Sequence, residues 1–221
     1  MAPNPRPIPR FIADSTQEGI PHGRFAERLV GEFGKACEGI EDLPEGVEVP
    51  AAVDWFPERA WGGRVWVPAT ARVEAPASRG SSDGDATDSN TLELFGHVSY
   101  TLPIEGGEPA DFRATADFTD VLAEDNPDWR IDLNDDVIGQ WRGENSRAGA
   151  VTLVWGRPLV RGAVAATAEL DTETVDQEVV SDERFTLVAL DALKGYGDDV
   201  FMQVKLWSRR AQELATESLY D

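Results

Sequence analysis

Lysine is nearly missing from this chain. Three occur in 221 residues, Lys35, Lys194 and Lys205, and the other seventeen basic residues are arginines. Against these 20 bases stand 41 carboxylates, giving a formal net charge of −21. A field of that sign repels a phosphate backbone and an anionic lipid surface, so nucleic acid and membrane are not expected as partners. Cysteine occurs once, as Cys37. One cysteine excludes an intrachain disulfide and a structural zinc site built on thiolates. The two histidines, His22 and His97, lie 75 positions apart, and neither has a ligand neighbour at metal-site spacing. Apolar runs long enough for a membrane span or a signal-peptide core are lacking, which predicts a cytoplasmic protein. Also lacking are a Walker-type loop, a dinucleotide fingerprint after a strand and a serine nucleophile elbow. No metal and no cofactor is therefore expected.

What is present reads as ordinary globular material. Hydrophobic residues make up 41% and charged residues 28%, enough apolar content for a packed core. Arginine in place of lysine, with abundant alanine, glycine and proline, is the usage of a GC-rich bacterial genome. The carboxylates are scattered and not blocked into a tail, so their plainest role is solubility. Adaptation to a salt-rich cytoplasm, or docking on a basic partner, would use the same excess.

Residues 1–20 carry proline at positions 3, 5, 7 and 9, which forbids helix and predicts an extended arm. Phe25, Leu29, Phe33, Cys37 and Ile40 then recur at helical spacing, predicting a helix over about 22–39 with Cys37 buried on its apolar stripe. The rest is strand-like. Val65, Val67, Ala69, Ala71 and Val73 alternate with Arg64, Trp66, Thr70 and Arg72; Leu92, Leu94, Val98, Tyr100 and Leu102 alternate with Glu93, Phe95, His97, Ser99 and Thr101. Residues 75–90 between them are Ser-, Gly- and Asp-rich and predict a mobile loop inserted in a long hairpin. Further strands are expected at 111–121, 128–133, 150–156, 159–170, 184–190 and 199–207, while 211–220 suits either a helix or a last hairpin strand. The fold expected is mainly β: an antiparallel sandwich or partly closed barrel with one N-terminal helix, forming a single domain over 21–221.

Motif by motif, little forces a chemistry. Asp83, Asp85 and Thr87 begin like a calcium loop, as do Asp132, Asn134 and Asp136, but both lack the turn glycine and the final glutamate that let one loop wrap the ion. Gly139-Gln140-Trp141-Arg142-Gly143 is similar over five residues to the Gly-x-Trp signature that opens lipocalin-type barrels. Here 78 residues follow it, too few for eight ordinary strands. Of seven tryptophans, Trp155 reads as core, and Trp61 and Trp66, bracketing Gly62-Gly63, are the candidates for an exposed platform.

The one constellation worth testing comes from strand register. If 111–121 continues the hairpin, one sheet face gathers Trp66, Arg72, Phe95, His97, Ser99, Arg113, Thr115 and Asp117. His97 with Asp117 would be the catalytic candidates for moving a proton. Arg72, Arg113, Trp66 and Ser99 would be the candidates for holding a small carboxylate or phosphate. Lining a cavity, that face is a site; on an outer face, it is plain solvated surface. Three readings of function follow. The first is a non-enzymatic binding or interaction protein, with a protein or small-molecule partner. The second is an enzyme or binder acting on a small anion through His97, Arg72 and Arg113. The third is an acidic structural protein assembling through edge strands.

Overall fold

The computed structural model describes residues 25–48, 50, 52–75, 91–102, 108–142, 148–170, 173–191 and 202–219. The expected arm at 1–20 and nearly all of the expected loop at 75–90 lie outside them. The protein is mainly β: one helix and twelve strands in antiparallel sheets, none of which closes into a barrel among the described residues. Its described residues group into two compact units, 25–55 with 60–127, and 56–59 with 128–219.

The first unit is a sheet with a helix on one face. Helix α1 runs over Ala26–Glu38. The strands are β1 (Asp54–Trp55), β2 (Arg59–Trp61, whose first residue groups with the second unit), β3 (Arg64–Glu74), β4 (Thr91–Thr101) and β5 (Ala110–Thr119). Their order is β1-β3-β4-β5, with β2 also pairing with β3. The helix lies over β4 and β5. Its stripe of Leu29, Phe33 and Cys37 meets Val65, Val67, Ala69, Leu94, Val98 and Tyr100 from the sheet, so alternation in the strands and periodicity in the helix present two matching apolar surfaces. The expected start at residue 22 falls outside the described residues, and the helix closes with the Gly39 N–H donating to the Ala36 carbonyl and the Ile40 N–H to the Cys37 carbonyl.

Burial has a chemical consequence for Cys37. The side chain is almost fully enclosed, and burial pushes its thiol from 9.0 up to about 11. The fold thus favours the neutral thiol. That contribution to stability is fully present below 9.0 and is lost as the pH rises through about 11. At pH 8 the folded protein should react with a thiol-specific disulfide reagent at least about a hundredfold more slowly than the urea-unfolded chain, because the raised thiol leaves that much less thiolate to attack. Equal labelling rates would place Cys37 outside the core.

The second unit is a two-sheet sandwich. One sheet has the order β10-β7-β6 and the other β12-β11-β8-β9. The strands are β6 (Ile131–Arg142), β7 (Ala148–Pro158), β8 (Ala163–Leu170), β9 (Glu173–Val179), β10 (Phe185–Asp191), β11 (Met202–Ser208) and β12 (Glu213–Ser218). Ile131, Val154, Phe185 and Leu187 from one sheet pack with Ala166, Ala168, Met202, Val204 and Leu206 from the other, the interdigitation that defines a sandwich. A sandwich, and not a partly closed barrel, is the outcome of the two architectures the strand count allowed.

Several elements differ from expectation. The strand expected at 128–133 is β6, displaced toward its C-terminal side, and it carries Asp132, Asn134 and Asp136 as strand residues and not as an ion-wrapping loop. Strand β9, Glu-Thr-Val-Asp-Gln-Glu-Val, was not expected, because its acids mask the alternation. The ambiguous C-terminus resolves as a strand: β12 pairs with β11. Within this unit Phe56 is buried, with the Arg157 and Arg184 guanidiniums over its ring at 5.6 and 5.7 Å. Arg59 bonds both carboxylate oxygens of Asp176, at 2.6 and 2.5 Å, and also Glu178. Asp176 in turn accepts the backbone N–H of Val188 at 2.8 Å, so it occupies part of the free edge of β10.

Candidate functional site

The expected sheet face exists. Trp66 stands opposite Ser99, Pro68 opposite His97, and Arg72 opposite Glu93. Across the next ladder Phe95 faces Asp117, His97 faces Thr115, and Ser99 faces Arg113. Because the odd residues from Val65 to Val73 and the even residues from Leu92 to Tyr100 go to the helix, their alternates share the other face. Alternation therefore brings Trp66, Arg72, His97, Ser99, Arg113 and Asp117 to one surface.

Burial is uneven across that surface. His97 is 4% exposed and Ser99 and Trp66 are buried, whereas Arg72, Arg113, Thr115 and Asp117 are exposed. The imidazole is tilted against the Trp66 ring with centroids 5.0 Å apart. Its Nδ1 lies 3.0 Å from Thr115 Oγ1. Asp117 stands one ladder position away, opposite Phe95, and its carboxylate accepts the Phe118 backbone N–H at 2.8 Å. The pair that the strand pattern offers for proton transfer is thus arranged as imidazole with hydroxyl, and carboxylate with backbone. Trp66 is no exposed platform: its indole N–H donates to the Trp61 carbonyl at 3.1 Å, and the Arg64 guanidinium sits 6.0 Å over its ring.

The guanidiniums have carboxylates of their own. Arg72 bonds Glu124 at 2.5 Å and approaches Glu93 at 4.0 Å. Arg113 bonds Asp111 at 3.1 Å. Arg64 is the residue that pattern reading passed over. It bonds Asp111 at 2.5 Å through its carboxylate and again through its backbone carbonyl, and reaches both Ser99 Oγ and Ser99 O at 3.2 Å. The hydrogen bond from Arg64, helped by Arg113, holds the Asp111 carboxyl below its usual range. A depressed carboxyl stabilises the fold above its unfolded value, and this clamp is released as the pH falls through the folded one. Asp111 also has a positive φ of 49° where the β4–β5 ladder slips register between Ser99 and Thr101, so Arg64 ties down a bulge. The sequence signal for it was present: Arg64 begins the same alternation as Trp66.

No protein-family model matches this chain, and neither a curated protein nor a solved structure matches it. Its chemistry must be read from the residues. Among the described residues no group of three His, Cys, Asp or Glu side chains is placed to hold a metal ion, and no helix is long and apolar enough to cross a membrane. On the His97 face, Arg64, Arg72 and Arg113 each contact a carboxylate of the protein itself. Its side chains also bridge strands, Arg64 joining β3 to Ser99 of β4 and Asp111 of β5, and His97 of β4 meeting Thr115 of β5.

Proposed function

We propose that the chain is a non-enzymatic binding protein of the bacterial cytoplasm, whose partner is a protein or a small molecule and neither nucleic acid nor membrane. The supporting observation is the neutralisation of the polar face. Arg64, Arg72 and Arg113 each contact a carboxylate of the protein itself, at 2.5, 2.5 and 3.1 Å. A small anion would have to displace those carboxylates while approaching a protein of charge −21. Edge assembly fares no better. The edge strands β6 and β9 carry Asp132, Asp135, Asp136, Glu173, Asp176 and Glu178, the kind of charge that blunts strand-to-strand pairing between molecules.

The test follows the His97 imidazole by NMR during titration of the full chain with inorganic phosphate and with acetate. The expected resonance stays put over the whole range. A saturable shift of His97 accompanied by shifts at Arg72 and Arg113 would restore the anion-site reading of that face and overturn the neutralisation on which this reading rests.

A further inference from the structure

One end of the sandwich unit holds a concave site that no strand pattern points to. There the chain crosses between the two sheets twice, from β7 to β8 through residues 159–162 and from β9 to β10 through residues 180–184. The crossings border a half-open hollow of about 270 Å³. Its walls include the aliphatic side chains of Leu159, Val160, Ala163 and Val180, and Arg161 and Glu183 belong to its lining.

Three observations say what this cavity suits. The first is rigidity. Leu159 N–H bonds the Arg130 carbonyl at 2.9 Å, Val180 N–H bonds the Val164 carbonyl at 2.9 Å, and Ser181 and Arg184 exchange two backbone bonds at 2.9 Å. Both crossings are thus fixed at their roots, and a pre-formed site loses little entropy on binding. The second is charge. The other arginines whose contacts are described above sit against carboxylates or an aromatic ring. Arg161 and Glu183 are exposed, and neither makes a hydrogen bond or ion pair among the described residues, with each other or with anything else. A cation and an anion thus line one hollow of mixed polar and aliphatic character, with no partner for either among the described residues. The third is size. Pockets for drug-sized ligands start at about 300 Å³, so this one suits a smaller solute.

We propose that this cavity binds a free α-amino acid with an aliphatic side chain. Arg161 takes the carboxylate, for which a guanidinium fork is well shaped. Glu183 takes the ammonium, and Leu159, Val160, Ala163 and Val180 enclose the side chain. A zwitterion is neutral overall, so the protein's negative field does not oppose its approach, as it would for a simple anion. The proposal rests on the binding-protein reading and names a ligand class for it, at a site separate from the His97 face.

The experiment records amide shifts of the full-length protein during titration with L-leucine. Three probes each remove one feature: 4-methylpentanoate lacks the ammonium, 3-methylbutylamine lacks the carboxylate, and glycine lacks the side chain; a fourth, N-acetyl-leucinamide, lacks both charges. The expected result is saturable shifts at residues 159–163 and 180–183 with leucine, and binding at least about tenfold weaker for every probe, the equivalent of one charge contact. Arg161→Gln and Glu183→Gln, both in exposed turns, should each weaken leucine about tenfold with an unchanged amide spectrum elsewhere. Shifts confined to other residues, no saturation up to the solubility limit, or N-acetyl-leucinamide binding as tightly as leucine would each overturn the proposal. The last outcome would mark a socket for a peptide side chain instead. Phosphate shifting His97 would overturn the neutralised face on which the binding-protein reading rests while leaving these cavity shifts readable, so the two failures are distinguishable.

Discussion

Gly156→Ala should cost the sandwich unit roughly 3 kcal/mol or more, because the added methyl has no room and no soft neighbour to displace. A Cβ there would lie 2.2 Å from the Asp132 carbonyl oxygen, 3.0 Å from Leu133 Cδ2 and 3.2 Å from Phe185 Cζ. The nearest atom is backbone, held in the β6–β7 ladder where Gly156 stands opposite Leu133. Relief requires β6 to move away from β7. That separation breaks ladder hydrogen bonds and opens the core at Phe185, which is fully buried. Gly96→Ala should do the same to the helix-and-sheet unit: its Cβ would meet the Thr115 carbonyl oxygen at 2.1 Å and the Ala116 Cα at 2.8 Å. Gly62→Ala provides contrast of another kind. Nothing lies within 4 Å of its Cβ, but its φ is +61°, so its cost is conformational, about 1 kcal/mol. Urea unfolding followed by tryptophan fluorescence ranks the three. Losses below about 1 kcal/mol at Gly156 and Gly96 would mean that the strands do not approach as closely as described.

These two glycines show where a single sequence stops being legible. Their strands were readable: Val65 to Val73 and Leu92 to Tyr100 alternate cleanly, and a period of two fixes which side chains share a face once the strands pair. The register followed, and with it the gathering of Trp66, His97, Ser99 and Arg113. Alternation does not say whether the polar face is open or covered, so neither the burial of His97 and Trp66 nor the pairing of Arg72 with Glu124 could be read. Glu124 lies in the short 3-10 turn Ala123–Asp125, 52 positions from Arg72. Strand β9 was hidden for a related reason. Asp176 and Glu178 occupy positions opposite the core residues Ala168 and Ala166, and they are tolerable there because Arg59 meets them. A pairing that spans 117 residues leaves no local trace. The cavity between residues 159–162 and 180–184 is hidden in the same way, since it arises from two turns brought together only by the crossing of sheets.

Lys205→Met should be about as damaging as the glycine substitutions, costing about 3–5 kcal/mol, through electrostatics and not sterics. Lys205 is on β11, a central strand, opposite Thr167 of β8 and Thr216 of β12. Its neighbours Val204 and Leu206 point into the sandwich core, so Lys205 takes the other face of that sheet. Even there it is 3% exposed and Glu169 is 5% exposed. Nζ donates to Glu169 Oε2 at 2.6 Å, with Glu213 Oε2 at 3.7 Å. Two positions along, the Trp207 indole N–H donates to Thr167 Oγ1 at 2.8 Å, closing the surroundings of the pair. Removing the ammonium leaves Glu169 a buried carboxylate without its cation, which is the expensive half of a broken ion pair. Removing both partners is different. Lys205→Met with Glu169→Leu replaces the pair by apolar groups of similar volume, so the double variant should recover to within about 1 kcal/mol of the parent. A double-mutant cycle by urea unfolding gives the coupling directly. If the double variant loses as much as the sum of the singles, the two charges do not interact, and Lys205 is held by packing of its stem alone. In a chain with three lysines, placing one beneath a sheet face beside two carboxylates fixes which residues of β8, β11 and β12 meet. The cycle tests whether that fixing carries energy.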